Sequence, residues 1–501
     1  MFRRLLCLLL TLMLLPLHAV AEDVPTGVTY EIFVASFQDS DGDGVGDLRG
    51  IIQRLDYIQS LGVSRIWLMP IHPSPSYHKY DVTDYYAIAP EYGTLEDFDA
   101  LVAACRERGI GVMMDLVVNH SSSEHPWFKE ACAALITGGE SKYLTWYTFG
   151  TDSGTVSAPH PVPGSDAWFY EGQFGYHMPD LNLAEPAVRE EIARIMAFWQ
   201  ARGVAGFRLD AVTSYYTGAN ASITDFLAFL VRTARANDPD CYLVGEVWAD
   251  ENTILTLYGS GIDSLFNFPS ADNSGRLILA ALNAKGAIVA RGLSDWNARV
   301  RQASPASVDA PFLSNHDLAR VRGMLRSDVN RQKVAAMLYL LLPGCPTVYY
   351  GEELGMSGSG RDENKRLPMM WSAADASLNC LPPADADQPQ RLKFGVDVQD
   401  ADPDSLLNCY RQVIALRRLA PELHRGVMTA IDAGNEAVCF FRVDDGDRAV
   451  AVLVNTSLTE AAAVDVSAMG AVEALGGYGD PTLEGGIVTL PAISCLLVRI
   501  P

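Results

Sequence analysis

Short runs of apolar residues alternate with longer amphipathic segments from about residue 28 to residue 420. The short runs have the length of buried strands, and the longer segments repeat their apolar positions with the period of a helix. Strands that alternate with helices predict a parallel sheet, and eight such units predict a (β/α)8 TIM barrel. The predicted strands are Val28–Val34, Val63–Met69, Gly111–Val118, Gly206–Leu209, Tyr242–Val247, Ile262–Phe266, Ala310–Leu313 and Thr347–Tyr350. The clearest helical segments are Leu48–Leu61, Leu95–Arg108, Ala187–Arg202, Thr224–Ala236, Val329–Leu342 and Leu406–Leu419.

The regular spacing is broken once and then ends. A βα unit takes roughly 30 residues or more, and the interval from Gly111 to Gly206 is far longer than one unit needs. The excess is rich in Gly, Pro, Ser and aromatic residues, so we predict a small inserted domain at residues 120–177. It would divide the barrel domain into residues 22–119 and 178–421. Short β-type runs then replace the helical period, which predicts a C-terminal antiparallel β-sandwich domain at residues 422–501.

The first 21 residues have the pattern of a signal peptide. Arg3 and Arg4 supply the charged start, Leu5–Leu17 is apolar, and Ala19-Val20-Ala21 fits a small-x-small cleavage site. The apolar run is short for a membrane span of roughly 20 residues. We therefore expect an exported protein, in the periplasm or the medium, with no membrane association once the signal is removed.

The formal net charge of −23 narrows the choice of partners. Such a surface repels nucleic acid and anionic lipid, and it suits a neutral substrate or bound cations. None of the cysteines forms a CxxC or Cys/His metal pattern. Export permits disulfides, but buried free thiols fit the apolar surroundings equally well, so no pairs are assigned. We expect a monomer that binds no nucleic acid.

Titratable residues follow several of the predicted strands, at the end where barrel enzymes carry their chemistry. Any single carboxylate there could simply cap a helix or form a salt bridge. A whole set at one rim predicts an active site. The set is Asp115 and His120 after the third strand, Arg208 and Asp210 after the fourth, Glu246 after the fifth, and His316 and Asp317 after the seventh.

Glycoside hydrolysis requires two carboxyl groups, and a third can assist. One protonates the leaving oxygen, one attacks the anomeric carbon, and a third stabilises the positive charge of the transition state. Arg208 lies two residues before Asp210, so both side chains share one face of the strand, and the cation favours an ionised, nucleophilic Asp210. Apolar neighbours of Glu246 would raise its pKa, as a proton donor needs.

Motifs at these same positions resemble those of the α-amylase family of retaining glycoside hydrolases (glycoside hydrolase family 13). Their order along the chain matches the family, and the branch looks intermediate between the oligo-1,6-glucosidase and neopullulanase types. The motifs are Asp115–His120, Gly206–Ala211, Gly245–Trp248 and Phe312–Asp317, supported by Gly62–Pro70, Met178–Asn182 and Gly344–Glu352. The segment Arg361–Trp371 resembles a barrel-rim loop of the first branch, without assigned chemistry.

The resemblance implies a role for each residue at the rim. Asp210 would be the nucleophile, Glu246 the general acid/base and Asp317 the transition-state stabiliser. Asp115 would support Arg208 rather than react. Sugar contacts would come from Tyr80, which matches a stacking aromatic, from His120, Arg208 and His316, and from Trp248, which either stacks an acceptor sugar or packs at the strand end.

A loop after the first strand has the spacing of a cation site. Asp39, Asp41, Asp43 and Asp47 stand at its first, third, fifth and ninth positions, and Val45 could add a backbone carbonyl. A glycine stands where an EF-hand needs glutamate, and a strand precedes the loop, so it is not an EF-hand. The resemblance implies structural Ca²⁺, with Mg²⁺ as an alternative ion in the same loop. The alternative is a solvated acidic turn without metal.

Finer features favour an endo-type α-amylase that cuts α-1,4 bonds in starch and maltooligosaccharides through a covalent glycosyl-enzyme intermediate. Ala211 resembles α-1,4-acting members, and Tyr77 stands where exo-acting glucosidases tend to carry aspartate. Thr213-Ser214 and Lys79 depart from common amylase patterns, so an exo-acting α-glucosidase and a 4-α-glucanotransferase stay open. The non-enzyme alternative is an inactive sugar-binding barrel protein. Such proteins generally lose the catalytic carboxylates, which this chain retains.

Overall fold

The computed structural model describes residues 27–501, and the predicted signal peptide lies outside that range. In chain order the strands are β1 (Thr29–Ile32), β2 (Arg65–Leu68), β3 (Gly111–Leu116), β4 (Phe149–Gly150), β5 (Pro159–Pro161), β6 (Phe169–Glu171), β7 (Gly206–Leu209), β8 (Tyr242–Gly245), β9 (Ser264–Leu265), β10 (Thr347–Tyr349), β11 (Val427–Ala430), β12 (Val438–Asp444), β13 (Ala449–Asn455), β14 (Ala462–Asp465), β15 (Glu473–Tyr478), β16 (Thr482–Glu484), β17 (Ile487–Leu490) and β18 (Ser494–Ile500).

The α-helices alternate with the barrel strands as the periodicity predicts. They are α1 (Leu48–Gln53), α2 (Leu55–Leu61), α3 (Leu95–Glu107), α4 (Pro126–Thr137), α5 (Pro186–Ala201), α6 (Asn220–Asn237), α7 (Glu251–Tyr258), α8 (Arg276–Asn283), α9 (Gly286–Ala303), α10 (Val321–Met324), α11 (Val329–Leu340), α12 (Asp362–Lys365), α13 (Val396–Gln399), α14 (Leu406–Arg418) and α15 (Glu422–Arg425). Within residues 27–501, none of these helices has the length and apolarity that a membrane span requires.

The barrel sheet is parallel, and its strands run in the order β10-β1-β2-β3-β7-β8-β9. Thr29 of β1 pairs with Thr347 on one side and Arg65 on the other. Both faces of this sheet are covered, which explains why its strands read as continuous apolar runs rather than alternating ones. All carboxyl ends point to one rim, so the residues after the strands meet there.

The predicted strand Ala310–Leu313 is extended but not regular. Ala310 forms a single parallel bridge with Phe266, because Pro311 has no N–H to continue the ladder. Asn267 N still donates to Ala310 O (3.1 Å), and Thr347 N donates to Pro311 O (3.0 Å). The segment therefore fills the gap between β9 and β10 and closes the barrel.

The inserted segment leaves and returns at neighbouring points on the barrel rim. His120 forms an antiparallel bridge with Asp180, and Tyr147 forms one with Leu181. Between them lie helix α4 and a small antiparallel sheet in the order β4-β6-β5. The Gly/Pro/Ser-rich composition of the whole segment predicts irregular structure and does not reveal this helix. The segment stands directly above the end of β3.

Two antiparallel sheets follow the barrel, in the orders β11-β12-β13-β18-β15 and β14-β17-β16. Alternate residues of β12 face different cores. Val438 and Phe440 pack with the smaller sheet, while Cys439 and Phe441 join the core continuous with the barrel. The eight cysteines of residues 27–501 are all buried and unpaired.

Candidate active site

One buried guanidinium connects the carboxylates that follow β3, β7 and β8. Arg208 Nη1 donates to Asp115 Oδ1 (2.8 Å) and to Asp210 Oδ1 (2.7 Å), and Nη2 lies 3.0 Å from Glu246 Oε2. Arg208 and Asp115 are almost completely inaccessible, whereas Asp210 and Glu246 reach the cavity above them. Asp115 therefore anchors Arg208 from below, and Arg208 holds the other two carboxylates close together.

The turn after β7 brings the carboxyl ends of β7 and β8 into contact. Ala211 has a left-handed backbone with φ of 49°, which is costly for a residue with a Cβ. This conformation directs its N–H to Glu246 Oε2 at 2.8 Å. Backbone strain beside Asp210 thus fixes the position of the carboxylate that faces it.

Asp317 is held by cations from two sides. His316 Nε2 lies 3.1 Å from Asp317 Oδ2, and Arg366 Nη2 donates to Asp317 Oδ1 at 3.0 Å. The other ring nitrogen of His316 contacts Glu31 Oε1 at 2.6 Å, and its Nε2 also contacts the Tyr80 hydroxyl at 2.7 Å. The rings of Tyr80 and His316 are nearly parallel, with centroids 5.6 Å apart. These contacts fix the aromatic wall beside Asp317.

The carboxylates face a common cavity of about 480 Å³. Tyr80 and His120 line it with Asp210, Glu246 and Asp317, and it also holds His78, Phe174, Met178, Ala211, Thr213, Ser214, Trp248, Asp362 and Arg366. The structure therefore brings together every predicted residue of the active site, with Arg208 and His316 just behind the cavity wall. The predicted metal ligands lie in a separate loop.

Aromatic side chains and a histidine extend this cavity. Trp248 is 56% exposed and stacks on Phe268, with ring centroids 5.2 Å apart, so it packs at the strand end and still offers an open face. Phe174, from the inserted segment, is 45% exposed and contacts the ring of His120. Burial lowers the pKa of His120 to about 4, which makes it a neutral imidazole. Its Nε2 has no partner within residues 27–501 and can bond to a hydroxyl.

Burial and local charges set the protonation of the carboxylates. Burial raises the pKa of Asp210, and Arg208 only partly opposes it. The pKa of Glu246 is raised in the same way and opposed by the same cation. Burial alone would raise the pKa of Asp317, but His316 and Arg366 hold that pKa far below the usual range. Arg208 favours the ionised form of Asp210, as predicted, but it does the same for Glu246, so the surroundings do not assign the two roles.

The loop at residues 39–47 gathers part of the predicted cation site. Carboxylate oxygens of Asp39, Asp41 and Asp43 lie within 4.8 Å of one another. Asp47 is used differently: its Oδ1 caps helix α1 through Gly50 N, and its Oδ2 accepts from Ser40 N, each at 2.8 Å. Three hard oxygen donors in a tight group suit Ca²⁺ or Mg²⁺.

Two residues that hold Asp317 and His316 were not predicted. Arg366 lies in the rim segment without assigned chemistry, 49 residues beyond Asp317, and no periodic signal links them. Glu31 did offer a signal, since it is an ionisable residue inside an apolar strand and is completely buried. Such residues are rarely buried without a partner.

Comparison with known proteins agrees with this geometry. A sequence model of the α-amylase catalytic domain matches residues 31–426. The chain belongs to the α-amylase family. Alpha-amylase 3 of Dictyoglomus thermophilum is 37% identical over 450 residues, covering 86% of this chain and 85% of that protein. Glucan 1,6-alpha-glucosidase of Streptococcus pneumoniae is 30% identical and covers 86% of this chain and 91% of that protein.

A solved structure gives the same result. Eubacterium rectale Amy13B superimposes with a TM-score of 0.90 at 40% identity, over 95% of each chain. As a member of the α-amylase family, the protein is an enzyme that hydrolyses O-glycosyl bonds. The fold class and the family resemblance predicted from the sequence are confirmed.

Proposed function

We propose that the protein is a retaining, endo-type α-amylase that cuts α-1,4 bonds in starch and maltooligosaccharides. The observation that carries the proposal is the bridge from Arg208 to Asp210 and Glu246, because it holds two carboxylates against one cavity with Asp317 opposite. A retaining mechanism requires a close pair of carboxyl groups.

In the proposed mechanism each carboxylate has its own role. Asp210 attacks the anomeric carbon while Glu246 gives its proton to the departing oxygen, so one carbon–oxygen bond forms as another breaks. Water then attacks the glycosyl ester, returns a proton to Glu246 and releases Asp210. The strongly ionised Asp317 stabilises the positive charge of both transition states. Burial raises the pKa of Glu246, which favours the protonated form that a general acid needs.

Two observations support an endo-acting enzyme. Trp248 and Phe174 offer exposed aromatic faces at the cavity, where several sugar units of a longer chain can stack. Exo-acting glucosidases tend to carry an aspartate at the position of Tyr77, where it binds the non-reducing end of the chain. Tyr77 offers no carboxylate for this, and its hydroxyl accepts from Arg366 Nη1 at 2.9 Å. A relative named α-amylase at 37% identity favours the same activity.

We also propose that the Asp39–Asp43 carboxylates bind Ca²⁺, with Mg²⁺ as the alternative ion. The ion would stabilise the loop between β1 and α1, and no step of the reaction passes through it. We further propose that the protein is exported to the periplasm or the medium and that it is a monomer.

Product analysis over time tests the specificity. Soluble starch, pullulan and maltotriose are incubated with the enzyme and with an Asp210→Asn control. An endo-acting α-1,4 enzyme removes iodine staining from starch well before reducing sugar accumulates, and NMR shows products released as α-anomers. Glucose as the first product from starch would point to the exo-acting α-glucosidase. Longer oligosaccharides formed from maltotriose would point to the glucanotransferase, and no turnover of any substrate would contradict the proposal.

A further inference from the structure

Gln173 connects the inserted segment to the loop that follows β7. Its side-chain Nε2 donates to Ser214 O at 3.0 Å, and its Oε1 accepts from Thr217 Oγ1 at 2.7 Å. Its backbone N–H donates to Asp180 Oδ2 at 3.2 Å. Asp180 also accepts from Asn119 Nδ2 at 3.2 Å, which fixes it to the rim beside β3. One side chain therefore joins two parts of the rim that are far apart in sequence.

The loop that Gln173 contacts contains neither an α-helix nor a strand. Residues 211–219 form a short 3-10 helix, Val212–Ser214, and then turns, before helix α6 begins at Asn220. Gly218 has a φ of 74°, so the backbone reverses again before the helix. A connection of this kind depends on a few hydrogen bonds for its shape. The two hydrogen bonds of the Gln173 side chain add to the loop's own backbone bonds and to the buried side chains of Val212 and Tyr215.

This loop forms the leaving-group side of the cavity. Glu246 must reach the departing oxygen, so the departing sugars lie beside it, and Glu246 accepts from Ala211 N at the start of the loop. Thr213 and Ser214 line the cavity farther along the same loop. Phe174 lines it from the inserted segment, directly after Gln173. Gln173 therefore joins two walls between which the leaving portion of the substrate would lie.

We propose that Gln173 is a positioning residue that fixes the leaving-group side of the cleft and so determines how well the enzyme binds long substrates. The inference rests on the proposed function, since it requires a glycan leaving group. Gln173 touches none of the reacting carboxylates. Its loss weakens binding of the sugars beyond the cut bond and leaves the chemistry at Asp210 intact.

The test compares substrates with large and small leaving groups. In Gln173→Ala, KM for maltoheptaose rises about tenfold, because substrate binding must then order a loop that two neutral hydrogen bonds hold in the wild type. With an aryl α-maltotrioside, whose leaving group does not extend along the loop, kcat/KM changes less than about twofold. Thr217→Val removes one of the two bonds and leaves Gln173 in place, so its KM for maltoheptaose lies between those of the wild type and Gln173→Ala.

Gln200→Ala is the matched control. Gln200 makes the same kinds of bond, donating to Ala234 O at 2.9 Å and accepting from Asn237 Nδ2 at 3.0 Å, but it lies on helix α5 and does not line the catalytic cavity. In Gln200→Ala, KM for maltoheptaose and kcat/KM for the aryl α-maltotrioside should equal the wild-type values.

Equal losses on both substrates would show that Gln173 supports the fold or the chemistry in general. An unchanged KM for maltoheptaose in folded Gln173→Ala would also overturn the proposal. If Gln173→Ala does not fold, Thr217→Val decides, since an unchanged KM for maltoheptaose in that variant would overturn the proposal as well. Wild-type enzyme that does not cleave maltoheptaose would instead contradict the proposed function.

Discussion

The variant Glu246→Gln tests which of the two bridged carboxylates, Asp210 or Glu246, is the general acid and which is the nucleophile. Their surroundings alone do not distinguish these roles. The amide oxygen of glutamine can keep both contacts of Glu246, from Arg208 Nη2 and Ala211 N, so the variant should fold normally. An amide cannot donate the proton. General acid catalysis contributes about 10²–10⁴-fold, so turnover of maltooligosaccharides should fall by about 10³-fold, equivalent to about 4 kcal/mol in the barrier.

The assay uses leaving groups of different acidity, with azide as a second nucleophile. A dinitrophenyl glycoside needs no protonation, so Glu246→Gln should form its glycosyl-enzyme at nearly the wild-type rate and give a burst. Hydrolysis of that intermediate is slow, because no base activates water. Azide needs no base, so it should restore turnover and yield an α-glycosyl azide. Equal losses on activated and natural substrates would refute the assignment, and a β-glycosyl azide would identify Glu246 as the nucleophile.

Three other sets of contacts give further predictions. Asp210→Asn should lose about 10⁴-fold or more in turnover and bind maltoheptaose within a few-fold of wild type, as calorimetry can measure. EDTA should lower the melting temperature by several degrees, and Asp41→Ala should remove that sensitivity; an equal effect of EDTA on both proteins would exclude the loop. Burial alone would lower the pKa of His316, but Asp317 and Glu31 raise it to about 9. The contribution of charged His316 to the stability of the fold is thus fully present below pH 6.5 and is lost as pH rises through 9. Glu31→Gln should therefore lower the melting temperature most below pH 6.5. A difference that does not change with pH would contradict this coupling.

The rim residues were predictable because each follows its strand directly. Asp210 and Glu246 end short apolar runs, and the parallel arrangement alone brings such positions together. The irregular segment Ala310–Leu313 was harder, since Pro311 prevents a regular ladder while both neighbouring strands still bond to the segment. A pattern of apolar residues does not distinguish these two cases.

Contacts between distant loops could not be predicted from the chain alone. Arg366 reaches Asp317 from the segment after β10, and Gln173 reaches Ser214 across the cleft. Neither pair shares a periodicity or motif, so only the folded positions of their loops bring them together. The same limit applies to Arg208. Its spacing from Asp210 was visible, but its contact with Glu246 depends on how β7 and β8 pair.

The proposed mechanism depends above all on a covalent bond between Asp210 and the substrate. In a 5-fluoro glycosyl fluoride, the ring fluorine slows both the formation and the hydrolysis of the glycosyl-enzyme. The anomeric fluoride departs with little need for an acid, so the reagent should trap the glycosyl-enzyme for mass spectrometry. We expect one added glycosyl group, located by peptide mapping on Asp210. A label on Glu246 or Asp317, or hydrolysis that never passes through a labelled protein, would contradict this mechanism.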